Sequence, residues 1–267
     1  MIRRNWNKIF VTGGTSFVGL RVVAALLDAG ADVTVLIQPE HEDKLGALRR
    51  QVRLVHGDIW NSASLKGRSR GHGAVIHLVG SVRAQPERGL TFHQINLVSA
   101  RNAIAMAVSD GVPYFVLLST VARPPGVSAE YVRSKREAEE YLAGSGLRAA
   151  IVRAPLLFER SQTGGALFNV LSTVGSLPLL RVFFGRRAPL PVDVAARGIA
   201  HAALQPSVPR SRMLYAGELR RLGREPNDSH SGSKPPRSRR QPPTLPVEQD
   251  EELPFGWLPP APTDRDE

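Results

Sequence analysis

Two groups of residues in this 267-residue chain have the types and the spacing to do chemistry. The first is Thr12-Gly13-Gly14-Thr15-Ser16-Phe17-Val18-Gly19, directly after the apolar run Ile9-Phe10-Val11. A strand that passes through a glycine turn into a helix makes an anion site. Glycine permits the tight turn and lets a diphosphate approach the backbone, and the first-turn N–H groups face that anion along the helix dipole. Gly13, Gly14, Thr15, Ser16, Phe17, Val18 and Gly19 are therefore candidate binding residues, with Gly19 letting the helix pack close to the sheet. The second group is Tyr131-Val132-Arg133-Ser134-Lys135. Residues i and i+4 share one helix face, so the phenol and the ammonium can point into one cleft. A phenol with its ordinary pKa of about 10 is a poor base at neutral pH. A neighbouring ammonium stabilises the phenolate and is expected to lower that value. Alternatively, Lys135, Arg136, Glu137, Glu139 and Glu140 form a solvated helix face laced by i,i+4 ion pairs.

Other chemistries are excluded residue by residue. A nucleoside-triphosphate loop needs Lys-Ser/Thr after its last glycine, but Leu20 and Arg21 follow Gly19. A nucleophile elbow needs glycine where Val18 stands. There are no cysteines, which removes disulfide scaffolds, zinc ribbons and cysteine nucleophiles. The seven histidines are scattered, and His56 and His77, inside strand patterns, read as satisfied core histidines, so no metal site is expected. No apolar stretch is long enough to span a membrane, and a soluble, cytoplasmic protein is the expectation.

Net charge is +11, unevenly spread. Residues 1–217 carry 27 basic and 14 acidic side chains, and residues 218–267 carry 8 and 10. A basic body suits an anionic cofactor or substrate. Nucleic-acid binding is a third-ranked reading, because the basic residues form no long run with interleaved aromatics. The densest cluster, Lys66 to His72, reads as a solvated loop.

The elements that must position these groups alternate. Strands are predicted at 9–11, 33–37, 52–55, 74–79, 114–118 and 149–152, and helices at 17–28, 95–108 and 131–142. Such alternation implies crossover units and a parallel sheet covered on both faces. The fold class is therefore α/β, a Rossmann-type doubly wound parallel sheet over residues 1–157. A small substrate-side lobe is expected over 158–217, with helices at 164–174 and 192–204 and a short strand at 181–184. Residues 218–267 hold ten prolines and mixed charge, and read as a disordered tail. Within the tail, residues 240–246 have the Arg-x-x-Pro-x-x-Pro spacing of a polyproline II ligand, a match that prolines this dense generate by chance.

Taken in order, the motifs of residues 7–205 resemble the short-chain dehydrogenase/reductase superfamily, in its extended or atypical branch. That branch includes NAD(P)-dependent sugar epimerases and dehydratases and a complex I accessory subunit. The resemblance implies a dinucleotide over the glycine turn, with Asp58 and Ile59 beside the adenine and Leu78, Val79 and Gly80 beneath the ribose. It also implies a role for Asn96 at the start of the following helix. Ser119 or Thr120, ending the fifth strand, would hold a substrate carbonyl, with Tyr131 as acid/base and Lys135 also bonding the nicotinamide ribose. Val152-Arg153-Ala154-Pro155 and Leu190-Pro191-Val192-Asp193-Val194-Ala195 continue the likeness. The family's middle glycine is Ser16 here, which narrows the approach to the diphosphate while offering a hydroxyl to a phosphate oxygen.

An NAD site ordinarily ends the second strand with an acid. This chain has Gln38 there, so nothing repels a 2′-phosphate, and the choice between NADP and NAD leans to NADP. The function expected is NAD(P)-dependent hydride transfer on a carbonyl or hydroxyl substrate such as a nucleotide sugar, by a reductase, epimerase or dehydratase. The alternative is a non-catalytic dinucleotide sensor or assembly subunit. A small-molecule substrate and a homo-oligomer fit either.

Overall fold

The structure, a computed structural model, describes residues 6–86, 89–124, 126–159, 188–205 and 211–224. Seven parallel strands form one sheet: β1 (Lys8–Thr12), β2 (Asp32–Ile37), β3 (Arg53–His56), β4 (Ala74–His77), β5 (Tyr114–Thr120), β6 (Arg148–Ala154) and β9 (Ser211–Leu214). Their order across the sheet is β3-β2-β1-β4-β5-β6-β9. Val11 sits in register with Val35 on one side and Ile76 on the other. Strand order therefore reverses between β1 and β4, the crevice where open α/β sheets bind ligands. β7 (Leu157–Phe158) and β8 (Leu190–Pro191) form a separate parallel pair.

Period-two alternation sends the strand side chains into two cores. Ile9, Val11, Val35 and Val116 meet α1 (Phe17–Asp28), α5 (Val192–Leu204) and α6 (Ala216–Leu222) on one face. On the other, Phe10, Val75, Phe115 and Ile151 meet α3 (Ser99–Ser109) and α4 (Ala129–Gly144). The short helix α2 (Ser62–Leu65) adds Leu65 to this second core. Both faces are covered by apolar helix stripes, which is why the strands read as continuous apolar runs.

Among the described residues the expected elements are present, with four differences. The stretch left unassigned between the second and third strands is a 3₁₀ helix, Pro39–Arg50, opened by proline and kinked at Gly46. The helix expected from Ile95 begins earlier, as a π turn over His93–Val98. There the Asn96 amide donates to the Phe92 carbonyl and the Ser99 hydroxyl to that of Ile95. The Lys66–His72 loop is anchored: Gly67 N, Ser69 N and the Ser69 hydroxyl all donate to Asp110. Finally, β9 pairs with β6, and α5 packs on α1, so residues 188–205 and 211–222 complete the doubly wound body. Helix α6 runs through position 218, so the boundary expected there falls inside a helix. The helix at 164–174, the strand at 181–184 and residues 225–267, with the polyproline match, lie outside the described residues.

Candidate functional site

The glycine turn sits where β1 leaves the sheet, and steric space dictates its residues. Gly13 has φ +77°, and a Cβ there would lie 2.8 Å from the Val79 nitrogen. A Cβ on Gly19 would lie 2.1 Å from the Gly13 carbonyl oxygen and 2.8 Å from the Gly14 carbonyl carbon. Backbone packs on backbone here, and no side chain fits. Ser16, between them, is extended at φ −74° and ψ 164°, so its backbone does not require glycine. Its hydroxyl caps α1, accepting from Gly19 N at 3.0 Å and donating to the Gly13 carbonyl at 2.8 Å. The hydroxyl expected to reach a phosphate is thus engaged within the turn, and the Gly19 N–H is withdrawn from any anion there. Thr15, Phe17 and Val18 flank this cap at the entry to α1.

Tyr131 and Lys135 share one face of α4, and that face is buried: they are 8% and 4% exposed. The Tyr131 ring meets Phe92 edge-on, with centroids 6.1 Å apart. Lys135 Nζ donates to the carbonyls of Val79 at 3.3 Å and Leu118 at 3.2 Å. A Cβ on Gly80 would fall 2.4 Å from this Nζ and 2.8 Å from Asn96 Oδ1. Gly80, Asn96 and Lys135 therefore converge, and glycine is what lets the ammonium in. The Asn96 side chain holds the Gly80–Ser81 turn by accepting from Ser81 N at 3.2 Å and donating to its carbonyl at 3.3 Å.

The electrostatics differ from expectation. Burial pushes the Tyr131 phenol up to about 12, while a side-chain hydrogen bond with Thr120 and the charge of Arg136 act the other way. Lys135, expected to lower it, instead donates to two carbonyls and is itself pulled down to about 8 by burial, with Glu139 opposing. Tyr131 is consequently a neutral phenol at physiological pH.

The two candidate hydroxyls separate as neighbours on a strand must. Thr120 faces Tyr131 and also donates to the Ala122 carbonyl at 2.7 Å. Ser119 turns towards α4 and donates to Glu139 Oε1 at 2.5 Å. Lys135 and Glu139 do not lie on a solvated face: both are buried. Sequence reasoning missed Glu139, which stands four residues beyond Lys135 and eight beyond Tyr131, on the same stripe.

The remaining candidates fall around the same strand ends. Gln38 closes β2 and is buried, and its carbonyl accepts from His41 N. Asp58 accepts from Trp60 N at 2.9 Å. Ile59, Leu78 and Val79 have buried side chains; Ile59 packs with Leu36 and Leu65 in the second core. His77, as expected, is a satisfied core histidine between Thr12 and Ser99. His56 is not: it is largely exposed and pairs with Glu42 at 2.5 Å.

A family described as NAD(P)H-binding matches residues 13–176. The chain belongs to the NAD(P)H-binding family. Its relatives include the ceramide reductase of Caulobacter vibrioides, 30% identical over 175 residues, which are 64% of this chain and 53% of that protein. A UDP-glucose 4-epimerase of Azospirillum brasilense is 30% identical over 173 residues, 55% of this chain and 48% of that protein. The chain spans about half the length of these curated relatives. Among solved structures, the Bordetella bronchiseptica enzyme WbmH in complex with NAD+ superposes with TM-score 0.57 at 21% identity, covering 78% of this chain and 75% of that one. The UDP-Glc/GlcNAc 4-epimerase of Campylobacter jejuni gives 0.58 at 15% identity, covering 80% and 82%. These structures share the fold, and the resemblance drawn from the motifs holds.

This NAD(P)H-binding chain has a donor set that fits a dinucleotide. The bare backbone of the turn faces the switch point, and two of the three N–H bonds of the Lys135 ammonium are spent on protein carbonyls, leaving a third. Among the described residues, no helix is long and apolar enough to cross a membrane.

Proposed function

We propose that this NAD(P)H-binding protein is an NAD(P)-dependent oxidoreductase or epimerase/dehydratase acting at a carbonyl or hydroxyl carbon, with Tyr131, Lys135 and Thr120 at the reacting centre. One observation carries the reading: a phenol and an ammonium, four residues apart on α4, are both buried, and the ammonium lies beside Gly80, next to the Val79 backbone against which Gly13 packs.

A bound dinucleotide would supply or accept the hydride at its nicotinamide ring. The protein's share is binding and proton handling. Gly13, Gly14 and the start of α1 would hold the diphosphate, and Lys135 would give its third N–H to a ribose hydroxyl. Tyr131, protonated at physiological pH, would donate to a carbonyl oxygen and release its proton there as the carbon gains hydrogen. This suits reduction. Thr120 would orient the phenolic oxygen. The buried amide of Gln38 at the end of β2, with no acid in its place, supports NADP over NAD. A ceramide reductase and a UDP-glucose 4-epimerase differ in substrate, so likeness to both supports a shared chemistry and not a particular substrate.

Tyr131→Phe tests this reading. Phenylalanine keeps the ring against Phe92, so the fold and NADPH affinity should persist while turnover on a carbonyl panel falls about 10³-fold. Wild-type turnover in that variant would remove the mechanism. The second reading, a non-catalytic dinucleotide sensor, draws on the Ser16 cap at the turn. It predicts NADPH binding with no hydride transfer in the wild type.

A further inference from the structure

Behind Tyr131 and Lys135 lies a buried ionic cluster that the proposed chemistry leaves unused. Glu139 is 4% exposed and one helical turn beyond Lys135. Its carboxylate accepts from Arg153 through Nε, at 3.1 Å to each oxygen, and through Nη2 at 2.5 Å. It also accepts from Arg136 Nη1 and from the Ser119 hydroxyl, each at 2.5 Å. Arg136 then reaches on: its Nη2 donates to the Thr120 carbonyl at 2.8 Å and the Val121 carbonyl at 3.5 Å. Arg153 donates to the Tyr215 hydroxyl at 3.3 Å, which ties in the corner before α6.

The arrangement has a direction. Arg136 grips the strand end from which Thr120 faces Tyr131, and Glu139 holds Arg136. The titratable groups that bear on Lys135 are His77 from β4 and Glu139 from α4, and Glu139 in turn pairs with Arg136 on α4 and Arg153 from β6. His77 is neutral, the phenol is neutral, and both arginines are cations. Glu139 supplies the negative charge. Without it, the buried ammonium one helical turn away would have no counter-charge.

We propose that Glu139 is a positioning residue for the Tyr131–Lys135 pair: its carboxylate is the counter-charge that keeps Lys135 an ammonium, and through Arg136 it anchors the end of β5 that carries Thr120. The inference rests on the proposed function only for its consequence in cofactor binding.

The chain has five lysines, so the Lys135 side-chain ¹³Cε signal can be assigned and followed with pH. The wild-type midpoint is expected at about 8. Glu139→Gln should bring it down by about one pH unit, and Glu139→Asp should keep it near the wild-type value. An unchanged midpoint in Glu139→Gln overturns the proposal. If that variant does not fold, Glu139→Gln with Arg153→Gln also removes the guanidinium that meets the carboxylate through Nε and Nη2, and leaves Arg136 on the Thr120 and Val121 carbonyls; an unchanged midpoint there overturns the proposal equally. NADPH titrated by fluorescence at each pH supplies the second readout. Affinity should fall through the Lys135 midpoint, and at lower pH in the variant; parallel profiles count against the proposal. A wild type that binds neither NADH nor NADPH would instead overturn the proposed function, while the lysine midpoints still judge Glu139.

Discussion

The glycine turn between β1 and α1 and the β5–α4 corner around Tyr131 both lie at the C-terminal ends of strands, yet they are held on opposite physical terms. The turn is held by the absence of side chains. Backbone rests on backbone, and a Cβ at Gly19 would meet the Gly13 carbonyl oxygen at 2.1 Å. The corner is held by side chains that are charged and buried: Lys135 and Glu139, with Arg136 and Arg153 around them. A steric site tolerates no added atom. An electrostatic site tolerates change in shape better than the loss of one charge, because a buried ion without its partner keeps the full cost of desolvation.

The largest effect should come from breaking the steric side. Gly19→Ala places a methyl against three backbone atoms, none of which can rotate away. The helix must move off the sheet. We expect a loss of about 3 kcal/mol, the upper range for overpacking, and no measurable NADPH binding. Thermal melts and dinucleotide titration check both. A variant with wild-type stability would show that α1 slides freely and that the turn is not sterically determined.

The two regions also differed in how far they could be read from the amino-acid sequence. Three glycines after an apolar run state a shape directly, and the turn, β1 and α1 fell where they were expected. So did α5, since Val192–Leu204 carries its apolar stripe openly. The corner was legible only in part. Tyr131 and Lys135 were recognisable by their spacing, but the charged run Arg136, Glu137, Glu139, Glu140 reads equally well as a solvated face. Charge alone does not reveal burial; the partner that makes Glu139 an interior residue, Arg153, comes from another strand. Ser119 and Thr120 posed a similar ambiguity, since adjacent hydroxyls point to opposite sides and strand register decides which one meets the phenol. The seventh strand was missed because Ser211–Leu214 is an edge strand with one buried residue, Leu214, and so lacks an apolar run.

That hydroxyl choice yields the next effect in size. Thr120→Val keeps shape but removes the group that bonds the phenol, and turnover should fall about 10²-fold, close to 2.7 kcal/mol in the barrier. Ser119→Ala should cost less, within about tenfold, because the Ser119 hydroxyl serves Glu139 and not Tyr131. The ratio of the two sharpens the contrast within the corner, and a larger loss in Ser119→Ala would reverse the assignment.

His77 joins the two regions and supplies a pH test. It stands between Thr12 at the end of β1 and Ser99, whose proton goes to the Ile95 carbonyl. Nε2 therefore carries the imidazole proton and Nδ1 accepts from Thr12. Burial first, and the charge of Lys135 second, pull His77 from 6.5 to about 3. A folded value below the unfolded one means that the unfolded chain binds the extra proton. The stability this protects is complete above pH 6.5 and is lost as pH falls towards 3. Between pH 6.5 and 5 the loss should be about 2 kcal/mol. Urea melts at the two pH values would measure it, and His77→Gln should flatten the difference. An equal slope in the variant would place the pH dependence on other groups.

The smallest effect belongs to the serine inside the steric region. Ser16 accepts from Gly19 N and donates to the Gly13 carbonyl, so it ties the turn to the first turn of α1 by hydrogen bonds where its neighbours act by having none. Ser16→Ala removes the cap and should cost about 1 kcal/mol; Ser16→Gly should cost only a few tenths, as glycine makes room for water at the Gly19 N–H. Thermal melts order the three proteins as serine, glycine, alanine. Because Ser16 is extended, neither change strains the backbone, and any difference between them reports the cap alone. Alanine matching serine would mean that the glycine packing holds the turn without help, and the contrast between the two regions would then be complete.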